Sequence, residues 1–196
     1  MMLRHLHRLP PARRARAEQN LTWLRLEQKR TDEALQHQRD ALALYQTHGL
    51  QDKIPIALVG LGAILDAAGD HLGAIATGEE ALPMLRAAGD RRTEGLALAN
   101  IGLARQNLGD LGAAVRDYES ALRLYEEVLD TYGQAGVWDQ PASAHLRARD
   151  TERARGCRHR AADLFDSLQV AHAVHIRARL DDLAEPEDGS AAHDGG

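Results

Sequence analysis

The chain has 196 residues and a formal net charge of −5, with 44% hydrophobic residues and only 4% aromatic residues. This length suits one domain or one short repeat array, and the apolar residues are mainly Ala and Leu, which favour helices, so an all-β fold is excluded. The acidic balance argues against a wholly basic surface for nucleic acid, and no apolar run approaches the roughly 18 residues of a membrane span.

Residues 1–17 form a basic N-terminal segment with five arginines and no acidic residue: Arg4, Arg8, Arg13, Arg14 and Arg16. Such a segment is typical of a transit peptide, but a basic first helix, or a start site chosen within a longer reading frame, explains it equally well. The excess of Arg, Ala and Gly indicates a GC-rich bacterial gene, and the single cysteine fits a reducing compartment. We therefore expect a bacterial protein located in the cytoplasm.

The centre of the chain contains an internal repeat with a period of 40 residues. Its landmarks are Leu61, Gly62, Gly69, Asp70, Ala74, Ala81 and Leu82 in one copy, and Ile101, Gly102, Gly109, Asp110, Ala114, Ala121 and Leu122 in the next. Weaker copies lie 40 residues before and after, as expected for the end units of a stacked array. We place the repeats at about 18–56, 57–96, 97–136 and 137–169.

Each copy of the repeat predicts two amphipathic helices. Leu58, Leu61 and Leu65 follow the i, i+3, i+7 spacing of one helix face. Gly69 then suits a helix end that needs positive φ, and Asp70 can cap the next helix. Four helix pairs follow from this pattern: 12–28 with 31–47, 54–68 with 71–87, 91–108 with 111–130, and 138–149 with 151–168.

Small residues recur where the two helices of a pair would cross. They let the helix backbones approach closely, where a larger side chain would hold them apart. This interpretation assigns repeat packing to Gly62, Ala74, Ala81, Gly102, Ala114 and Ala121. The predicted fold is an all-α, right-handed solenoid of antiparallel helix pairs over residues 18–183. A last helix at 170–183 is expected to cap the stack, and the acidic tail 184–196 is expected to be disordered.

The repeat landmarks resemble those of the tetratricopeptide repeat (TPR), most strongly over residues 57–125. The period resembles the long-linker subclass of kinesin light chains, in which a Gly-Asp linker precedes Glu, Ala and an Asn-Leu-Gly motif. The corresponding residues here are Gly89, Asp90, Glu94, Ala97, Asn100, Ile101 and Gly102. The array is also similar to the C-terminal sensor arrays of bacterial SARP-type regulators, without their DNA-binding head or ATPase module.

The TPR resemblance implies a concave groove, lined by the first helix of each pair, that binds peptides or partner helices. The implied groove residues are Gln19, Asn20, Trp23, Glu27, Val59, Ala63, Asp66, Ala99, Asn100, Leu103, Gln106, Asn107, Asp139, Ser143 and Arg147. In the long-linker relatives an asparagine before the Leu-Gly pair clamps a peptide backbone, which implies this role for Asn20 and Asn100 but not for Gly60. Local backbone contacts explain both asparagines equally well, and Trp23 fits either a groove anchor or the core.

Sequence motifs for catalysis, metals and cofactors have simpler explanations. Gly60-Leu61-Gly62 has Leu65 where a dinucleotide-binding loop needs its third glycine. Adjacent acidic residues on a helix diverge by about 100° and cannot share a proton. Possible metal ligands are Cys157, His159, His172 and His175. Surface histidines are the simpler interpretation of these. We therefore expect no enzymatic activity, no metal and no cofactor.

The leading functional interpretation is a non-catalytic module that binds a protein or peptide in its concave groove. It fits a bacterial regulatory or scaffold protein, or the detached sensor portion of a transcriptional regulator, and neither nucleic acid nor membrane is the expected partner. The alternative is a DNA-associated regulator acting through the basic stretch Arg147–Arg160, which is opposed only by Asp150 and Glu152. Charge pairing between neighbouring helices is a further explanation of that stretch.

Overall fold

The structure is a computed structural model, and it describes residues 9–168 of the chain. Within this range every regular element is an α-helix and no strand occurs. The helices are α1 Pro11–Glu27, α2 Thr31–Thr47, α3 Ile54–Ala67, α4 His71–Ala88, α5 Arg91–Leu108, α6 Leu111–Glu127, α7 Thr131–Arg147 and α8 Thr151–Ser167. The prediction of an all-α fold is confirmed.

The turns between the helices share one backbone conformation. A residue with positive φ occurs at every twentieth position of the described chain: Lys29, Gly49, Gly69, Gly89, Gly109, Leu129 and Arg149. Glycine adopts this conformation without steric cost, whereas the other residues do so at a cost in free energy. The constant spacing reverses the chain at regular intervals and gives helices of similar length.

An aspartate occupies the N-cap position of each helix from α4 to α8. The side chains of Asp70, Asp90, Asp110, Asp130 and Asp150 each accept a hydrogen bond from the backbone N–H three residues later. Each carboxylate satisfies an N–H that the helix leaves unpaired, and it interacts favourably with the helix dipole. The N-cap residues of the first three helices are Pro10, Arg30 and Lys53, and none of their side chains forms such a hydrogen bond.

The helices stack in sequence as a solenoid of helix pairs, as predicted. Each helix packs against the next one along the chain. The odd-numbered helices also contact each other, α3 with α5 and α5 with α7, whereas the even-numbered helices form no comparable contacts in the described range. The odd-numbered helices therefore form the inner, concave wall, and the even-numbered helices form the outer wall.

Close approach of the helices in the two central pairs depends on glycine. A Cβ added to Gly62 would lie 3.2 Å from the carbonyl oxygen of Ala74, and one added to Gly102 would lie 3.2 Å from that of Ala114. The Cε1 atom of Tyr118 is closer still to Gly102, at 2.9 Å from the added Cβ. Both alanines are buried, and so are the other two alanines of the packing pattern, Ala81 and Ala121.

The seventh helix is longer than the sequence predicted. A helix was expected over 138–149, whereas α7 is Thr131–Arg147. Leu129 takes the positive φ that glycine holds in the preceding turns, so the start of this helix lacks its usual sequence signal. Gly133 and Gly136 lower the helix propensity of the first two turns, but the ring of Tyr125 packs on this segment, 2.7 Å from where a Cβ of Gly133 would stand. Tertiary packing therefore outweighs local propensity here.

The predicted capping helix 170–183 and acidic tail 184–196 lie outside the described residues, as do residues 1–8 of the basic segment. Across the described residues, none of the helices combines the length and the apolar character that spanning a lipid bilayer requires.

Candidate binding groove

A cavity of 350 Å³ lies between the inner-wall helices α5 and α7, and we call it the α5–α7 groove. Its lining comprises Arg92, Thr93, Leu96, Ala99, Asn100 and Leu103 of α5, Tyr132, Gly133, Gly136, Val137 and Gln140 of α7, together with Tyr125 and Asp130. The lining is mainly apolar, with a few polar groups, which is the composition typical of ligand-binding clefts.

The groove is open because glycine replaces a larger side chain on one wall. Residues of α5 and α7 that differ by 40 in number occupy equivalent positions, so Leu96 corresponds to Gly136 and Asn100 to Gln140. A Cβ added to Gly136 would find no atom within 4 Å, so the space beside it is empty. Leu96 remains 46% exposed on the facing helix. An apolar side chain from another molecule would find here both room and an apolar contact surface.

Two carboxamides line the α5–α7 groove, at equivalent positions of its two helices. Asn100 and Gln140 are both partly exposed, and neither side chain forms a hydrogen bond to any residue in the described range. A carboxamide offers donors and an acceptor, which match the C=O and N–H of a peptide backbone. The groove therefore carries hydrogen-bonding capacity that the described residues do not use.

The lining of the groove includes an ion pair. Arg92 Nε lies 2.6 Å from the Asp130 carboxylate, which also caps α7 by accepting from the Gly133 N–H at 2.8 Å. Desolvation raises the pKa of Asp130, but the hydrogen bonds from Arg92 and Gly133 outweigh it and hold that pKa below its ordinary value. Burial raises the pKa of the adjacent Tyr125 to about 12, so its hydroxyl is neutral. Tyr132 also lines the groove and is largely exposed, with its ring edge-on to Phe165.

The structure brings three of the predicted groove residues together, since Ala99, Asn100 and Leu103 all line the α5–α7 groove. Two others lie in the packed interior instead. Val59 is 3% exposed in the core, and Gln106 is 7% exposed, where its side chain accepts a hydrogen bond from Tyr118. Both side chains are therefore buried in the described structure, although the TPR resemblance implied that they line the groove.

The predicted residues of the first repeat lie on α1, away from the α5–α7 groove. Asn20, Trp23 and Glu27 are exposed, and Trp23 is the most exposed of the large hydrophobic side chains on α1, at 69%. Gln19 is partly buried, where its side chain accepts a hydrogen bond from the Tyr45 hydroxyl at 2.9 Å. Trp23 is therefore a surface residue in the described structure and not part of the core.

Asp66 and Asn107 connect two repeats to each other. The Asn107 amide lies 3.1 Å from one oxygen of the Asp66 carboxylate, and His71 Nδ1 lies 2.6 Å from the other. The Asp66 side chain is nearly buried between these partners, while Ala63 on the same helix is exposed. These contacts tie α3 to α5, so we assign Asp66 and Asn107 a structural role.

The groove residues that the TPR resemblance implied in the fourth repeat also form contacts within the chain. Ser143 donates to the carbonyl oxygen of Asp139, whose carboxylate lies 3.7 Å from Arg158, and Arg147 donates to the carbonyl oxygen of Gln106. Sequence reasoning missed Tyr132, Gly136, Val137 and Gln140 in this repeat. The signal was present, because each lies 40 residues after Arg92, Leu96, Ala97 or Asn100.

The thiol of Cys157, one of the possible metal ligands in the sequence, has no activated character. Burial raises the pKa of Cys157, and the nearby charge of Arg160 offsets this only in part. A raised thiol pKa disfavours the thiolate that metal binding or nucleophilic attack requires. His172 and His175 lie outside the described residues.

Comparison with known families and structures agrees with this architecture. The tetratricopeptide-repeat family model matches residues 53–127, the segment that forms α3 to α6. This match supports the interpretation of the chain as a TPR protein. No curated protein sequence gives a significant match.

Three solved structures share the fold. Aspartyl phosphate phosphatase F from Bacillus subtilis superposes with a TM-score of 0.79 at 14% identity, over 89% of this chain and 45% of that protein. BtubC (BKLC) from P. vanneervenii gives 0.67 at 19% identity, over 95% and 72%. A Rap protein complexed with Competence and Sporulation Factor gives 0.74 at 15% identity, over 85% and 47%. This chain therefore spans less than half of the phosphatase and of the Rap protein.

Proposed function

We propose that this chain is a non-catalytic binding module that holds a peptide, or an extended segment of a partner protein, in the α5–α7 groove. It would act in the bacterial cytoplasm as part of a regulatory or scaffold protein. We further propose that its repeats are of the long, 40-residue type found in kinesin light chains and SARP-type sensor arrays.

The observation that carries the proposal is the combination of empty apolar space with two unengaged carboxamides. An extended peptide places backbone N–H and C=O groups next to alternate side chains. Asn100 and Gln140 would bind the backbone, while one apolar side chain would enter the space beside Gly136, against Leu96 and Leu103. The same cleft contains no arrangement of acid, base and nucleophile, which favours binding over catalysis.

The Rap protein structure supports the proposal, because that protein was solved in complex with Competence and Sporulation Factor. This chain spans 47% of that protein, and the comparison favours ligand binding by the fold. The experiment therefore begins by selecting a ligand for this chain.

A random-peptide display library selected on the immobilised chain provides ligands, and fluorescence anisotropy then gives the Kd of each synthetic peptide. Gly136→Leu should fill the groove and weaken binding at least tenfold. Asn100→Ala should weaken it severalfold, because one backbone contact is lost. Gly156→Leu is the matched control, since Gly156 lies in helix α8 with equally open surroundings, and it should leave the Kd unchanged.

Three outcomes would contradict the proposal: no peptide is selected, the selected peptides bind Gly136→Leu as tightly as the parent chain, or Gly156→Leu weakens binding equally. Trp23→Ala reports whether the bound segment continues along the inner wall to α1, since only a longer ligand would reach it. Unchanged helical circular dichroism in each variant shows that the fold is preserved.

The alternative of DNA binding through Arg147–Arg160 has less support, because several of those arginines form contacts with other residues of this chain. Arg147 donates to Gln106, Arg158 is buried beside Asp139, and Arg160 stacks over the ring of Trp138 at 4.9 Å. Arg153 and Arg155 pair with acidic residues on their own helix. DNA retention that falls steeply with salt, and that Arg→Ala changes abolish, would favour this alternative over the groove.

A further inference from the structure

The first helix pair contains a group of metal-ligating side chains that the α5–α7 groove does not use. Glu18 of α1 and His37 and Asp40 of α2 converge at the interface of the two helices. One ligand atom from each lies within 4.8 Å of the other two. No sequence motif marks this group, because Glu18 and His37 are distant in the chain.

Glu18 is a carboxylate with little exposure to water and an incomplete set of partners. It is 6% exposed, and its carboxylate lies 2.8 Å from His37 Nδ1. No arginine or lysine in the described residues forms an ion pair with it. A buried carboxylate is costly unless a cation or several hydrogen-bond donors compensate its charge. The site is therefore suited to a positive ion.

The two ligands on α2 are positioned by helix geometry. His37 and Asp40 are three residues apart, so they lie on the same face of α2, and both are partly buried. The Asp40 Oδ1 atom accepts a hydrogen bond from Gln36, which leaves its second oxygen for another ligand. Two atoms that bind one ion at about 2.1 Å lie at most about 4.2 Å apart, so small side-chain rotations would close the site.

We propose that Glu18, His37 and Asp40 form a binding site for a divalent first-row transition ion such as Zn²⁺. One imidazole nitrogen and two carboxylate oxygens suit such an ion, whereas Mg²⁺ and Ca²⁺ prefer oxygen ligands alone. Water completes the coordination on the exposed side. A bound ion joins α1 to α2, in the helix pair whose first helix buries no aliphatic side chain larger than alanine.

Isothermal titration of the untagged chain with ZnCl₂ tests the proposal. The parent chain should bind one more equivalent of Zn²⁺ at micromolar affinity than the His37→Ala variant does. Asp40→Asn should weaken the same equivalent about tenfold. His48→Ala is the matched control, since His48 is exposed at the end of the same helix, and it should titrate like the parent chain.

Zn²⁺ should also raise the Tm of the parent chain and of His48→Ala, and not that of His37→Ala. MgCl₂ at the same concentration should change none of them. The proposal is overturned if the parent chain and His37→Ala bind the same number of Zn²⁺ equivalents with the same affinity. It is equally overturned if His48→Ala loses the equivalent.

Discussion

The central helices α3 to α6 and the flanking pairs α1–α2 and α7–α8 follow the same backbone path with different side chains. Every positive-φ turn from Gly49 to Gly109 has glycine, whereas the outer turns place Lys29, Leu129 and Arg149 in that conformation. Helix α3 buries nine residues, five of which are leucine or isoleucine, while α1 buries only Ala15, Glu18 and Thr22. The path thus depends on the spacing of turns, and the stability depends on the apolar core of the central pairs.

The largest expected effect comes from filling a tight central contact. Gly102→Leu would force a side chain against Tyr118 and the Ala114 backbone, and overpacking of this kind costs about 1–3 kcal/mol, toward the upper end here. Urea denaturation measures the loss. The same substitution in a flanking helix, Gly156→Leu, meets no atom within 4 Å and should leave the free energy of unfolding unchanged or slightly raised. Equal effects at the two positions would contradict the contrast between centre and flank.

A smaller loss is expected at the boundary between centre and flank. Asp130→Ala removes the α7 cap and the ion pair with Arg92, at a cost of about 1–2 kcal/mol. Asp150→Ala removes a cap at a more exposed site and should cost less. Thermal unfolding of the two variants distinguishes these costs. Equal losses in the free energy of unfolding of the two variants would contradict this difference between the boundary and the flank.

A gain of stability is expected where a flanking turn is given the central residue. Leu129→Gly relieves a left-handed backbone conformation that costs about 1 kcal/mol in a non-glycine residue. Little packing is lost, because Leu129 is 85% exposed. The reciprocal change Gly109→Leu, at a central turn with φ of 90°, should destabilise the chain. The urea midpoint should shift upward for Leu129→Gly and downward for Gly109→Leu. Such opposite shifts would show that the residue in the turn affects stability independently of the spacing of the turns.

The smallest effect concerns the pH dependence of stability. The folded-state pKa of Asp130 lies below its ordinary value, so its contribution is present above that ordinary value and is lost as the pH falls through the folded pKa. Burial raises the pKa of Asp117, against the hydrogen bond and charge of Arg105, so its contribution has the opposite sign and declines as the pH rises through the raised value. Asp130→Asn should therefore flatten the loss of stability below about pH 4, whereas Asp117→Asn should remove a gain of stability that occurs as the pH falls toward about 4. Unfolding curves between acid and neutral pH measure both slopes.

The sequence predicts the fold where turn and packing signals coincide. Gly69 and Asp70 together mark a helix boundary, and the periodic leucines mark the helices on either side. The start of α7 escapes this reasoning because Leu129 stands in place of glycine, although Asp130 keeps its place in the repeat. The fixed interval between turns, rather than glycine itself, was the more general signal.

The binding groove is less predictable because neighbouring helix positions point about 100° apart. A groove-wall residue and a core residue are therefore often adjacent in the sequence. Equivalent positions also differ in their surroundings between repeats, since Val59 lies in the core whereas Ala99, one period later, lines the groove. Gln140 was missed because its repeat lacks the glycine landmarks, although it stands one period after Asn100.

The even spacing of the turns constrains how such a chain can grow. Inner and outer helices alternate, so duplicating two adjacent helices lengthens the molecule and leaves all downstream helices on their original side. Inserting a single helix between Asn100 and Gln140 would invert everything after it, and the two carboxamides would then face opposite directions. Lengthening by gene duplication, or by engineering, is therefore compatible with this groove only in units of a whole helix pair.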